Sequence, residues 1–218
     1  WPQLYGSMRV SYTVEAMART DVQLMLDVKA GDTASFELLL QKYRTPLVNF
    51  LYRMVRDTAT AEDLAQEVFL RIYRARKEYF AGAKFTTWLF RIATNLALNS
   101  IRDNRHRRME VSLDAPAEED EAPIQVAARE MRIDEHMIER DRAEFIRRTI
   151  AALPEKQRAA VLLHKYEEMD YGEIAKVLDC SESALKSLLF RAYGTLRVEL
   201  APLMAQPVGN RAGEGRLQ

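Results

Sequence analysis

The chain's 218 residues suffice for one or two domains, and an apolar share of 48% is ample for a core. A single cysteine, Cys180, excludes a disulfide framework within the chain and fits a reducing compartment, and no apolar run approaches a membrane span or a signal-peptide core, so the expected location is the cytoplasm. The formal net charge is +0, but the charges are segregated: Arg71 to Arg108 holds ten Lys and Arg against two Asp and Glu, whereas Asp114 to Glu144 holds eleven acids against four Arg. The basic segment can collect a polyanion, and the acidic one suits a spacer or a solvated face.

Residues 1–19 carry no firm pattern. WPQLYGS reads as a non-native leader ahead of Met8, and the remainder as a flexible extension. Helical periodicity starts near Thr20, with Leu24 and Val28 on one face and Gly31 as the stop. Asp32 can cap a longer helix reaching Arg56, whose stripe includes Phe36, Leu39, Tyr43, Leu47, Phe50, Leu51 and Met54. Pro46 lies inside it, so a kink or break near Thr45 is predicted. Thr60 is the predicted cap of the next helix, with Asp63 at the fourth position of the box. Leu64, Val68 and Ile72 turn inward there, and Glu62, Asp63, Gln66, Glu67, Arg71 and Arg74 form the outer side, which reads equally as a solvated face.

Gly82 marks a break, and Thr86 or Thr87 can cap WLFRIATNLALNSIRD. The basic run Arg102 to Arg108 follows at the expected helix end, where cations suit either the helix dipole or phosphates. Phe80, Phe85, Trp88 and Phe90 lie upstream; aromatic groups beside cations can stack on single-stranded bases, or they can simply fill a core. Between Met109 and Ile133 the pattern dissolves into an acidic, proline-containing flexible linker. Periodicity resumes near Ile133, and Leu153-Pro154 opens a further helix. The expected architecture is all-α, with helical domains at 20–110 and 134–200, an acidic linker at 111–133 and a flexible tail at 201–218.

Within the second domain, Asp170 can cap YGEIAKVL in a capping box with Glu173, Asp179-Cys180 can turn the chain, and Ser181 can cap another helix. Leu185, Leu188 and Leu189 then point inward, leaving Glu182, Ser183, Lys186, Ser187 and Arg191 outside. This is a helix-turn-helix pattern, and its second helix has the size and polarity to enter a major groove. A packing hairpin with a wet face would look the same. His106, His136 and His164 share no ligand spacing with Cys180, so neither a metal site nor a cofactor is expected. No nucleophile–base set or phosphate loop stands out, and the acidic run Glu118 to Glu121 sits in a linker, so an enzyme is not expected.

Three stretches, in this order, resemble the bacterial RNA polymerase sigma factors of the sigma-70 superfamily: AEDLAQEVFLRIYRA (61–75), KFTTWLFRIATNLALNSIRDNRHRR (84–108) and LPEKQRAAVLLHKYEEMDYGEIAKVLDCSESALKSLLFRAYGTL (153–196). The compact two-block form is similar to the extracytoplasmic-function, or group 4, class. The resemblance implies a subunit that binds core RNA polymerase, recognises −10 and −35 promoter elements and supports duplex opening. It places Asp63, Gln66, Glu67, Arg71 and Arg74 against the beta-prime clamp helices, with the beta subunit as a further contact. It assigns Lys84, Trp88, Arg91, Asn95, Asn99, Arg102, Arg105, Arg107 and Arg108 to the −10 element, with a base-capturing loop near Asn104 to Ser112. Ser181, Ser183, Lys186, Ser187 and Arg191 fall to the −35 element, and an anti-sigma factor is an implied partner. Where the family pattern carries two arginines, this chain has Leu188 and Tyr193, which puts the strength of −35 binding in doubt. The competing readings are a stand-alone helix-turn-helix regulator and a polymerase-binding protein without promoter selectivity.

Overall fold

The computed structural model describes residues 19–82, 84–114 and 135–205, with the side chains of 108–114, 135–139 and 204–205 outside that description. The predicted leader, nearly all of the acidic linker and the tail beyond 205 therefore lie outside the described residues. Helices α1 (Asp21–Ala30), α2 (Thr33–Val55), α3 (Thr58–Arg74) and α4 (Phe85–Asp114) form the N-terminal body, with a 3-10 turn at Arg76–Glu78. Helices α5 (Glu135–Ala152), α6 (Glu155–Lys165), α7 (Tyr171–Val177), α8 (Glu182–Glu199) and α9 (Ala201–Ala205) form the C-terminal one. The protein is all-α, as expected.

Local chemistry sets the helix ends. Thr20 and Gln23 close a capping box on α1, and Gly31 takes the left-handed conformation, φ 110°, that ends it. The Asp32 carboxylate accepts from the Ala34 amide and the Ser35 hydroxyl, which holds its pKa below the usual range. Helix α2 runs unbroken through Pro46. The ring removes one amide donor, but Tyr43, Leu47, Phe50 and Leu51 are all buried around it and hold the helix in register. Fully burying such side chains stabilises by about 1.5–3 kcal/mol each, comparable with what an interior proline costs.

Two predicted caps are wrong. Helix α3 is capped by Asp57, whose carboxylate accepts from the Thr60 amide at 2.7 Å; Thr60 is the residue whose N–H needs capping, and Asp63 is a second-turn surface residue. Helix α4 begins at Phe85, ahead of both threonines, and Thr87 is buried. Its far end differs too. The predicted loop at 104–112 is helical, because α4 continues to Asp114. Pro154 stands at the N-cap of α6 and not within its first turn.

The core of the N-terminal body is where α2, α3 and α4 meet. Phe50 packs edge-on against Phe90 at 5.2 Å, and Tyr43 meets Phe85 at 5.3 Å. In the C-terminal body, α6 buries Ala159 through Leu163 under α8, which supplies Leu185, Leu189, Ala192 and Leu196. The Asp170–Glu173 capping box is present on α7, Asp179 turns the chain at φ 51°, and the Ser181 hydroxyl accepts from the Ala184 amide. These features are the helix-turn-helix read from the sequence.

Candidate polymerase and nucleic-acid interfaces

Three surfaces carry the residues singled out above. On α3, positions 63, 66, 67, 70, 71 and 74 recur at helical spacing and form one stripe. Asp63, Gln66, Arg71 and Arg74 are exposed, and Glu67 accepts from the Arg71 guanidinium at 2.7 Å. Sequence reasoning missed the apolar part of this surface. Leu70, 49% exposed, sits in the middle of the stripe, and a groove of about 730 Å³ opens beside it, lined by Phe36, Leu40, Val48, Gln66, Phe69 and Tyr73 among others. A solvated helix face has no use for such a groove, whereas an amphipathic partner helix does.

From Lys84, just ahead of α4, through Trp88, Arg91, Asn95, Asn99 and Arg102 on it, a stripe runs along one side at three- to four-residue intervals, with Arg105 at its edge. All but Trp88 are exposed, and Arg102 donates to the Asn99 amide oxygen at 3.1 Å. Arg107 is exposed too, but it stands about 200° round the helix from Arg105 and leaves the stripe. The side chain of Arg108 lies outside the described residues. Trp88 is half-buried against buried Tyr79, ring centres 5.5 Å apart, while Lys29 donates to the Tyr79 carbonyl and ties this segment to α1. The aromatic ring turned outward is Phe80, 79% exposed, at the N-terminal end of the stripe. Its ring, unlike that of Trp88, is largely open to solvent.

The stripe does not face open solvent along its whole length. Lys84 pairs with Glu173 at 2.7 Å, Arg105 with Glu155 at 2.8 Å and Arg91 with Asp179 at 3.5 Å, all from the C-terminal body. The Glu173 carboxylate raises the Lys84 pKa by stabilising the ammonium. The sequence pattern gave Glu173 a capping role and Asp179 a turn, but it paired none of these acids with the stripe, because each partner lies 50 or more residues away.

On α8, Ser183, Lys186, Ser187 and Arg191 are exposed along one face. Phe190 shares that face by helical phase and is 82% exposed, so it belongs with them; its position three residues after Ser187 was the available signal. Ser181 is committed to capping, and Ser187 donates to the Ser183 carbonyl at 3.1 Å. Leu188 is half-buried against the core. Tyr193 turns inward, where its hydroxyl meets His164 Nδ1 at 2.7 Å. Burial lowers the His164 pKa and raises that of Tyr193, so a neutral ring and a neutral phenol share this bond.

Two family models fit this chain: sigma-70 region 2 over residues 39–107, and sigma-70 region 4 over residues 144–196. The chain belongs to the sigma-70 family. Among relatives, it is 36% identical over 188 residues to the RNA polymerase sigma-H factor of Pseudomonas aeruginosa, covering 85% of this chain and 96% of that one. It is 31% identical over 186 residues to the ECF RNA polymerase sigma-E factor of Escherichia coli, with coverage of 85% and 96%. These relatives place it in the extracytoplasmic-function class. Solved structures with the same fold include CnrH in complex with the cytosolic domain of CnrY, at TM-score 0.61 and 20% identity over 84% of this chain and 97% of that one. Another is the sigma factor RpoE of Bartonella quintana in complex with the anti-sigma factor NepR, at TM-score 0.57 and 22% identity over 76% and 96%. As a sigma factor, the protein binds core RNA polymerase and recognises promoter elements; the chemistry of RNA synthesis belongs to the polymerase. Among the described residues, no helix is long and apolar enough to cross a membrane.

Proposed function

We propose that this sigma factor divides its work among the three surfaces, with bodies bounded near 20–110 and 134–200. Asp63, Gln66, Glu67, Arg71 and Arg74, around Leu70 and the adjoining groove, take the beta-prime clamp helices, and the beta subunit provides a further contact. The α4 stripe from Lys84 to Arg105 takes the −10 element, with the cations neutralising backbone phosphates, Asn95 and Asn99 offering amide groups to base edges and Phe80 providing a stacking surface. Helix α8 reads the −35 element through Ser183, Lys186, Ser187, Phe190 and Arg191. The backbone contacts among these set register, while the base-edge contacts carry sequence.

The observation that carries this reading is the continuous one-sided run of cations and amides on α4 beside an outward aromatic ring. An ordinary solvated helix face mixes charges of both signs, whereas these six in-phase groups are cations and amides with no carboxylate among them. Extruding a base costs a few kcal/mol by general estimate, and these groups must offset it. Neither body needs high affinity alone, since the polymerase holds both at high effective concentration. An anti-sigma factor belongs to this reading, as the Bartonella quintana relative was solved bound to one, and so does a cytoplasmic location, where polymerase and DNA are found.

Binding of purified core polymerase to the wild type and to a Asp63→Ala, Gln66→Ala, Arg71→Ala variant tests the first surface. The substitutions are exposed and should leave circular dichroism unchanged while weakening association by about thirtyfold or more, as expected for an interface anchor. Unchanged affinity in a folded variant would remove α3 from the polymerase interface.

A further inference from the structure

The C-terminal end of α2 meets α5 and the connection after α6 in a patch that shares no residue with the three surfaces above. Arg53 of α2 lies 4.1 Å over the ring of Tyr166. Three residues on, Arg56 takes the left-handed conformation, φ 64°, that ends α2, and its guanidinium reaches the Glu144 carboxylate of α5 at 3.6 Å. Arg147 and Arg148 converge on the same carboxylate at 3.3 and 3.2 Å. Arg148, with Arg147 and Arg56, holds the Glu144 carboxyl below its usual range. A guanidinium carries five N–H donors, whereas a carboxylate offers about four acceptor sites, so three guanidinium groups on one acid bring far more donors than it can accept. A fifth cation, Arg158, donates to the Met54 carbonyl at 2.5 Å, and its Nε is buried with no hydrogen-bond partner. Burial lowers its pKa and the Arg56 charge lowers it further, with Glu155 opposing, so these cations feel one another. Glu167 beside Arg53 is pushed by burial up to about 7 and supplies only part of a negative charge at neutral pH. The patch is therefore over-supplied with positive charge.

Favourable charge at a helix C-terminus accounts for Arg53, Arg56 and Arg158. It does not account for Arg147 and Arg148, which belong to another helix and converge on the same spot. Nor does it account for the rings of Tyr52 and Tyr166, 37% and 42% exposed, which stand beside Arg56 at 5.9 Å and Arg53 at 4.1 Å. Cations interleaved with open aromatic rings have the chemistry that holds a single nucleic-acid strand, the cations neutralising phosphates and the rings stacking bases. We propose that this patch is a further nucleic-acid site, in which Arg53, Arg56, Arg147 and Arg148 hold the phosphates of a single strand and Tyr52 and Tyr166 stack its bases. Both bodies contribute to it, and it is independent of the −10 and −35 assignments.

The test titrates the full chain against short oligo(U) RNA and oligo(dT) DNA strands carrying 5-iodouracil, and maps the photocrosslinks by peptide mass spectrometry. Crosslink yield at each peptide, followed against protein and salt concentration, gives an affinity for that site alone and so separates the patch from the other two nucleic-acid faces. The wild type should crosslink at Tyr52 and Tyr166. Each phosphate contact on a single strand adds about 0.7 to the slope of log affinity against log salt, so an Arg147→Gln, Arg148→Gln variant should bind there with a slope shallower by about 1.4. An Arg44→Gln, Lys77→Gln control loses the same charge at exposed sites away from the patch and should keep the wild-type slope. Stronger crosslinking by one strand type identifies it as RNA or DNA, and either supports the site. Crosslinks confined to α4, α8 or Phe80 would overturn the proposal and leave the −10 and −35 assignments standing. An unchanged slope in the variant, or an equal fall in the control, would also overturn it. So would displacement by polyglutamate as effective as by unlabelled strand, since the patch would then be a site for acidic peptides. Should the variant lose its helical circular dichroism, the wild-type crosslinks and their displacement decide alone.

Discussion

Tyr193 shows how a single departure from a family pattern can be misjudged. Read as a missing arginine, it weakens phosphate attraction; in the fold it turns inward to meet His164. Tyr193→Phe should therefore lower stability by about 1 kcal/mol, seen as a shift of a few degrees in the thermal midpoint, without changing −35 selectivity. Tyr193→Arg should also destabilise, because it places a cation where a neutral phenol packs. Glu167 sets a second expectation. Burial pushes its carboxyl up to about 7 against an ordinary 4.5, with Arg53 partly opposing. A raised acid binds its proton more tightly folded than unfolded, so its contribution is fully present below pH 4.5 and is lost as pH rises to about 7. His164, lowered by burial, works the other way and contributes above its ordinary 6.5. Chemical denaturation across this range should find that Glu167→Gln removes the loss on alkalinisation and leaves the acid-side loss from His164.

At the scale of elements, the apolar stripes were legible because burial in this fold follows helical period: Leu39, Tyr43, Leu47 and Phe50 on α2, and Leu185 and Leu189 on α8, are all buried. Caps were legible in part. Asp170 and Ser181 were found, but at α3 the sequence offers Asp57, Thr58 and Thr60 in succession, and the side chain that reaches the orphan amide is decided by backbone geometry. Asp57→Ala should cost about 1 kcal/mol, whereas Thr60→Ala should cost less in the same unfolding assay, because it removes the hydroxyl contact to Asp57 and keeps the capped amide. The length of α4 was hidden for a related reason. Its last turns, from Met109, have no apolar period to announce them. At Pro46 the predicted break is absent, because the buried neighbours Tyr43, Leu47, Phe50 and Leu51 offset the local cost.

At the scale of the molecule, the sequence disclosed two helical bodies and a charge segregation, but not how they meet. Lys84 and Glu173, Arg91 and Asp179, and Arg105 and Glu155 are brought together by tertiary structure across 50 or more residues, and no local period encodes such pairs. Phe190 and Phe80 were underweighted for a different reason. An apolar residue in a polar stripe looks like core until burial shows that nothing covers it. With both bodies tied to one polymerase, the two faces should act as independent readers. Lys186→Ala with Arg191→Ala should degrade only the −35 half of the preferred promoter, and Asn95→Ala with Asn99→Ala only the −10 half, each base-edge contact being worth about 1–3 kcal/mol of discrimination.

The most direct measurement is transcription by purified core polymerase with this sigma factor on templates whose −35 and −10 segments are randomised. The account predicts enrichment of one two-part motif at fixed spacing, with the −35 half alone becoming degenerate in the Lys186→Ala, Arg191→Ala variant. A factor that binds core polymerase but enriches no start sites, or a variant in α8 that scrambles the −10 half instead, would contradict it.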